Sequence, residues 1–246
     1  MPSEYIARDP RTGKRIGKGR RNAKKGGGLA ALAPDGGPWQ ILPRGEILAL
    51  ATGKSSKIEV SADGKRLTLG RIDAIKALGR VDDGKTEEAY DALVDALEDD
   101  FPDVRIAALK SLPSFALRKQ GILFHCLSDR LLDGENSVRG EAMSCLRKVA
   151  PLFPSGCEEI LRRELRDERK EHRENAFATL NLAAKEWPEV GCLHLDEIIR
   201  EEDHDLRVRG SVILRSIASK GGAEAWDLIG WSLLDEEVRV RRNASR

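Results

Sequence analysis

Apolar positions recur along the chain in blocks that restart about every 34 residues. The blocks align on an arginine, in RIDAIKAL from Arg71, RIAALKSL from Arg105, RGEAMSCL from Arg139, RENAFATL from Arg173, RGSVILRSI from Arg209 and RRNASR from Arg241. The spacings read this way are 34, 34, 34, 36 and 32. Three and four residues after the arginine stand Ala74/Ile75, Ala108/Leu109, Ala142/Met143, Ala176/Phe177 and Val212/Ile213. Seven after it stand Leu78, Leu112, Leu146 and Leu180, with Ser216 in the fifth block. Offsets of three, four and seven mark one face of a helix. Eight and twelve residues before the arginine lie Leu97/Leu93, Leu131/Leu127, Leu165/Leu161 and Leu233/Ile229, and the fifth block has Leu195, Ile198 and Ile199 instead. Each block therefore predicts two amphipathic helices joined by a short polar turn. One such pair cannot bury its apolar faces alone, whereas a stack of pairs can.

The turn carries a signature of its own. Asp99, Asp133, Asp167, Asp203 and Asp235 stand six residues before Arg105, Arg139, Arg173, Arg209 and Arg241. Val104, Val138, Val208 and Val240 precede the arginine, and His172 takes that place in the fourth block. With this Asp-x(4)-Val-Arg-x-x-Ala pattern, residues 86–246 resemble HEAT repeats, in particular the short PBS-lyase HEAT-like form. The resemblance implies an all-α solenoid of five to six helical hairpins. It also implies that the five Asp/Arg pairs form a structural ladder within and between repeats. A carboxylate suits that role because it can satisfy helix N-terminal N–H groups and accept a guanidinium fork. The Trp/Gly/Tyr/Pro positions of the equally long TPR repeat are not present.

Ahead of the repeats, KIEVSADGKRLTL alternates apolar and polar residues about Asp63-Gly64 and predicts a β-hairpin, with a short helix over 44–51 before it. Residues 38–70 are read as an N-terminal cap, 71–246 as the solenoid and 1–37 as a Gly-rich arm without structure when free. The chain's last residues, Arg239, Arg241, Arg242, Asn243, Ser245 and Arg246, read as a polar cap or as an edge that a partner completes.

Charge changes the picture. The chain holds 42 Lys+Arg and 41 Asp+Glu, a net of +1 that argues against a nucleic-acid partner only if the charges are mixed. They are not mixed. Arg8, Arg11, Lys14, Arg15, Lys18, Arg20, Arg21, Lys24 and Lys25 face only Glu4 and Asp9 within residues 1–28, a net of +7 that leaves −6 on the rest. Cations among glycines can track a phosphate backbone closely. These nine residues are the candidate nucleic-acid contacts, with RNA ahead of DNA and the ribosome as the most concrete target.

Chemistry is otherwise sparse. Cys126, Cys145, Cys157 and Cys192 form no CxxC, and with His125, His172, His194 and His204 they give no zinc pattern. They read as buried thiols of a cytoplasmic protein, with no metal and no cofactor expected. No His-Glu dyad occurs, which sets aside the iron-binding HEAT-like hydroxylases. GKGRRNAKKGGG lacks the P-loop arrangement. No apolar run approaches a membrane span. His194 is read as a packed residue at the place of Tyr90, Phe124 and Trp226, and Trp226 as lying on the core stripe. Trp231, at the place of Asp95, Asp129 and Arg163, is read as facing outward and is the candidate partner contact. The residues five past the arginine, Lys76, Lys110, Ser144, Ala178 and Leu214, are read as the inner face.

The expectation is a non-enzymatic scaffold that anchors to RNA or DNA by its arm and engages a protein or shaped nucleic acid on its solenoid. Alternatives are a HEAT-like DNA glycosylase, a PBS-lyase-like protein and a pure protein adaptor. One off-core tryptophan is too little for a base-stacking cradle, which weighs against the glycosylase.

Overall fold

A computed structural model describes residues 28–31, 40–62, 65–79, 86–117 and 119–246. The nine arm cations, Trp39, Arg80 and Arg118 lie outside the described residues. The fold is all-α, a helical-repeat fold of the α-solenoid type, with two short β ribbons ahead of most of its helices.

The chain divides into two compact units, residues 1–119 with Gly134–Glu141, and Gln120–Asp133 with 142–246. The first unit holds β1 (Gly28–Ala31), β2 (Gln40–Pro43), α1 (Arg44–Ala51), β3 (Ile58–Ala62), β4 (Lys65–Leu69), α2 (Arg71–Leu78), α3 (Thr86–Leu97) and α4 (Pro102–Ser111). α4 starts on a proline, whose missing N–H costs nothing in a first turn. β3 and β4 pair antiparallel from Ile58/Leu69 to Ala62/Lys65, in the register the alternation predicts.

Two features of this unit differ from the expected boundaries. Residues 28–31 do not belong to an unstructured arm, because Gly28–Ala31 pairs antiparallel with Gln40–Pro43. The cap boundary at residue 70 also falls inside a hairpin. α1 and α2 pack together, and Arg71 Nε donates to the Ala51 carbonyl at 3.0 Å. Arg105 makes the equivalent bond to the Asp99 carbonyl at 2.6 Å. The β3–β4 ribbon is therefore an insertion in the turn of a first helical hairpin, and it hides that hairpin's period. The core of this unit is the buried face of Ile47, Leu50, Ile75, Leu78, Leu93, Leu97 and Leu109. Each such leucine or isoleucine contributes about 2 kcal/mol by leaving water.

The second unit holds α5 (Gln120–Arg130), residues 142–149 of α6 (Asn136–Val149), α7 (Pro154–Glu164), α8 (Lys170–Glu186) and α9 (Pro188–Ile198). α10 (His204–Ser211), α11 (Leu214–Ile217), α12 (Gly222–Leu233) and α13 (Val238–Ala244) complete it. Leu127, Leu161 and Leu195 of the first helices, Leu131 and Leu165 just past the ends of α5 and α7, and Met143, Leu146, Phe177, Leu180 and Leu214 of the second helices are all buried.

The fifth block corrects the sequence alignment. Arg207, not Arg209, donates to the carbonyls behind it, at 2.8 Å to Glu201 and 3.1 Å to Glu202. The arginines are then 34 residues apart throughout, and Leu195 and Ile199 fall twelve and eight positions upstream as in the other blocks. Gly210 and Ser211 fill the places held in the other blocks by Ala and by Ile, Leu, Met or Phe, which disguises the register. A Cβ on Gly210 would come within 2.6 Å of Ile198 Cγ2, so even alanine is too large there. The second helix breaks after Ser211, where Val212 and Ile213 turn by i→i−3 bonds to Arg209 and Gly210.

Candidate functional site

The arginines that organise the repeats reach the backbone of the turn behind them. Arg105 Nη1 donates to the carbonyls of Asp99 and Asp100, Arg173 Nη1 to those of Asp167 and Glu168, and Arg241 Nη1 to those of Asp235 and Glu236, all within 2.6–3.2 Å. Arg139 Nη1 reaches the Gly134 carbonyl at 2.9 Å. Each guanidinium thus satisfies carbonyls that the end of the preceding helix leaves without partners. The aspartates turn forward. Asp99, Asp167 and Asp235 accept from the backbone N–H two residues on. Asp133 pairs with Arg130 at 3.3 Å. Asp203 caps α10, accepting from the N–H groups of Asp205 and Leu206. Arg209 is held by Asp205 at 2.6 Å and Glu174 at 3.2 Å, outside the row.

Links between successive hairpins use side chains. In the first unit Arg71 meets Asp99 at 2.5 Å. In the second, Arg207 meets Asp235 at 3.0 Å, Arg162 meets Glu197 at 2.9 Å and Arg166 meets Glu201 at 2.8 Å. The Arg162 hydrogen bond holds the Glu197 carboxyl below the usual carboxylate range. These charges neutralise one another along the row, so it stabilises the stack and offers little free charge to a ligand.

Sequence reasoning missed one buried polar cluster. His172, in the valine place, sets Nδ1 3.0 Å from Glu164 Oε2, and Glu164 is fully buried. Arg163 Nε donates to the other Glu164 oxygen at 3.0 Å. Asp167 lies 4.0 Å from His172 Nδ1, and Arg169 Nε and Nη2 donate to both of its oxygens at 2.8 and 2.7 Å. Glu164, Asp167 and His172 bring their ligating atoms within 4.8 Å of one another. Guanidinium groups already occupy both carboxylates, so the cluster reads as a closed ion-pair network. The only available clue was the exchange of valine for histidine.

Two of the thiols, Cys157 and Cys192, are poor nucleophiles. Burial, aided by the neighbouring Cys145, pushes the Cys157 thiol up to about 12, and burial raises Cys192 as well. His194 is buried, but it stands at the place of Ala92, Ile160 and Leu228 once the fifth block is registered on Arg207. Cys192 takes the place expected for it.

Exposed apolar and cationic groups concentrate near the end of the second unit. Trp231 is exposed, as expected, and so is Trp226, which does not lie in the core. On the second-helix row, the corrected register puts Val212, not the buried Leu214, five past the arginine, and Val212 is 56% exposed. It lines a groove of about 350 Å³ between α10 and α13, with Asp205, Val208, Arg209, Arg239, Arg242 and Arg246, and Arg209 already holds the Asp205 carboxylate. Asn243 ties the groove floor together, donating through Nδ2 to Ser211 Oγ at 2.9 Å. Among the described residues, the side chains of Arg239, Arg242 and Arg246 make no ion pair. No helix among the described residues is long and apolar enough to cross a membrane.

No family model and no curated protein matches the chain. Solved structures do. A designed armadillo repeat protein is 18% identical over 71% of this chain and 90% of its own, with a TM-score of 0.40. An engineered protein is 16% identical over 82% of this chain and 93% of its own, with a TM-score of 0.44. A chain from the structure of Kap95p with RanGDP is 13% identical over 81% of this chain but 28% of its own, with a TM-score of 0.49.

Proposed function

We propose that this protein is a non-enzymatic helical-repeat scaffold. It would dock an acidic, partly apolar protein segment in the α10–α13 groove and anchor to RNA through its N-terminal cations. The groove carries the reading. Val208 and Val212 offer apolar floor, while Arg239, Arg242 and Arg246 supply guanidinium forks suited to carboxylates. No aromatic side chain lines the groove, which favours a peptide over stacked bases there.

The RNA reading rests on the charge separation in the sequence. An arm of net +7 on a body of net −6 supplies cations where a phosphate backbone could release counterions. The assignment to the short PBS-lyase HEAT-like type rests on the turn motif. A cytoplasmic setting rests on the sequence, whose four cysteines form no CxxC and no regular disulfide spacing.

Two titrations separate the two parts. A fluorescent peptide alternating Glu and Leu should bind the full chain, weaken at least about tenfold with Arg239→Glu/Arg242→Glu, and ignore deletion of residues 1–28. A ribosomal RNA fragment should lose binding on that deletion, and its affinity should fall steeply with salt. A peptide that binds the charge-reversed protein equally well rejects the groove. An RNA affinity unchanged by the deletion rejects the arm.

A further inference from the structure

Within the second unit α5, α7 and α9 each have one side that the following hairpin covers. Phe124 of α5 lies over Gly156 of α7, leaving no room for a Cβ. Cys192 of α9 sits beside Gly221, just ahead of α12. Both stand fifteen residues before their arginine, and Trp226 is the equivalent residue of α12. Cys192 is 4% exposed, whereas Trp226 is 64% exposed. Eight residues before the arginine the same contrast holds. Leu131 and Leu165 are fully buried, and Leu233 is 43% exposed. Among the described residues, no element covers this side of α12. An exposed strip holding a tryptophan and two leucines is the kind of surface that marks a contact.

The strip is complementary to itself. Its large residues are Trp226, Leu233 and Leu234, and its small ones are Gly230, Ala223 and Gly222. Trp226 and Gly230 lie two residues either side of Leu228, Leu233 and Ala223 five, and Leu234 and Gly222 six. All six are exposed, and the space a Cβ would take on Gly230 or Gly222 has no neighbour within 4 Å. Two copies of α12 crossing antiparallel near Leu228 would set every large residue of one over a small residue of the other. That is the residue-to-residue reciprocity a two-fold interface requires. Trp226 would then rest on a glycine of the second copy as Phe124 rests on Gly156 within one chain, continuing the packing the repeats already use.

We propose that this face of α12 is a docking site for a second copy of the chain, closed by Trp226 on Gly230 in both directions. This interface does not depend on the groove or the arm.

Sedimentation of the full chain between about 5 and about 500 µM tests it. The wild type should pass from monomer to dimer with rising concentration. Trp226→Ala and Gly230→Leu should each weaken the dimer at least about tenfold. Gly230→Leu fills open space and removes a glycine from a helix interior, so its Tm should stay level or rise while the dimer is lost. A wild type that stays monomeric throughout, or a dimer indifferent to both substitutions, overturns the proposal.

Discussion

Arg207 Nε donates to Asp235 Oδ2 at 3.0 Å across successive hairpins, and both side chains are less than a tenth exposed. Arg207 also spans the Glu201 and Glu202 carbonyls, so one guanidinium closes its own turn and joins the next. Removing one partner of a buried pair leaves the other charged and desolvated. Arg207→Ala should therefore cost about 3 kcal/mol in urea unfolding. Arg209, two residues on, pairs with the half-exposed Asp205 and Glu174. Arg209→Ala should cost less than about 1 kcal/mol. Equal costs would mean that the fifth repeat is not registered on Arg207.

That comparison marks how far the sequence could be read. Leu93, Leu97, Leu127, Leu131, Leu161 and Leu165 declare the first helices, because a buried helix face needs large apolar residues at fixed offsets. The fifth repeat escapes the pattern because Gly210 packs against Ile198 where alanine would clash, and neither Gly210 nor Ser211 carries an apolar signal. α1 and α2 were read as parts of different regions because the ribbon between them breaks the period. Trp226 was misplaced for another reason. The pattern tells which side of a helix is apolar, and only the tertiary packing tells whether a neighbour covers it. The groove at Val212 was hidden by the same register error.

His194 should make stability pH-dependent. Burial pushes its imidazole below the ordinary 6.5, against the opposing pull of Glu197. Neither ring nitrogen has a hydrogen-bond partner among the described residues. The unfolded chain then takes up a proton at a higher pH than the folded one. The contribution is complete above about pH 6.5 and declines as the pH falls towards the depressed folded value. His194→Leu places at this site a residue like Ile160 or Leu228. It should raise stability by about 1 kcal/mol at pH 7.5 and by more at pH 5. Urea titrations at the two pH values check this, and a gain no larger at pH 5 would reject the burial account.

Gly191 fixes the approach of α9 to its neighbours. A Cβ there would lie 2.6 Å from Ile217 Cγ2 and 2.7 Å from Ala184 Cβ. Alanine is the better helix former, so propensity alone predicts a gain of up to about 1 kcal/mol for Gly191→Ala. Overpacking opposes that gain and should dominate, with a net loss of about 1–3 kcal/mol. Ala184→Gly in the same chain opens room at 2.7 Å and should recover part of the loss. A stabilised Gly191→Ala protein, read by thermal unfolding, would show that the helices separate freely.

Asp167 contributes to the acid limb of stability. The hydrogen bond from Arg169 is the main cause that draws its carboxyl down to about 2, from an ordinary 3.8. A depressed folded value means that the pair contributes stability above about pH 4, and that the contribution disappears as the pH falls through 2. Arg169 is 41% exposed, so solvent screening limits the effect to less than about 1 kcal/mol at neutral pH. Arg169→Gln should lower stability by that amount at pH 7 and by nothing measurable at pH 2. In the same variant, the Asp167 carboxyl followed by NMR should titrate closer to 3.8. His172 and the buried Glu164 stand nearby, 4.0 and 3.0 Å apart from their respective partners in the cluster, so the titration also reports whether Arg169 or the rest of the network sets the Asp167 value. If Arg169→Gln leaves that titration unchanged, the network around His172 and not the arginine holds the proton off.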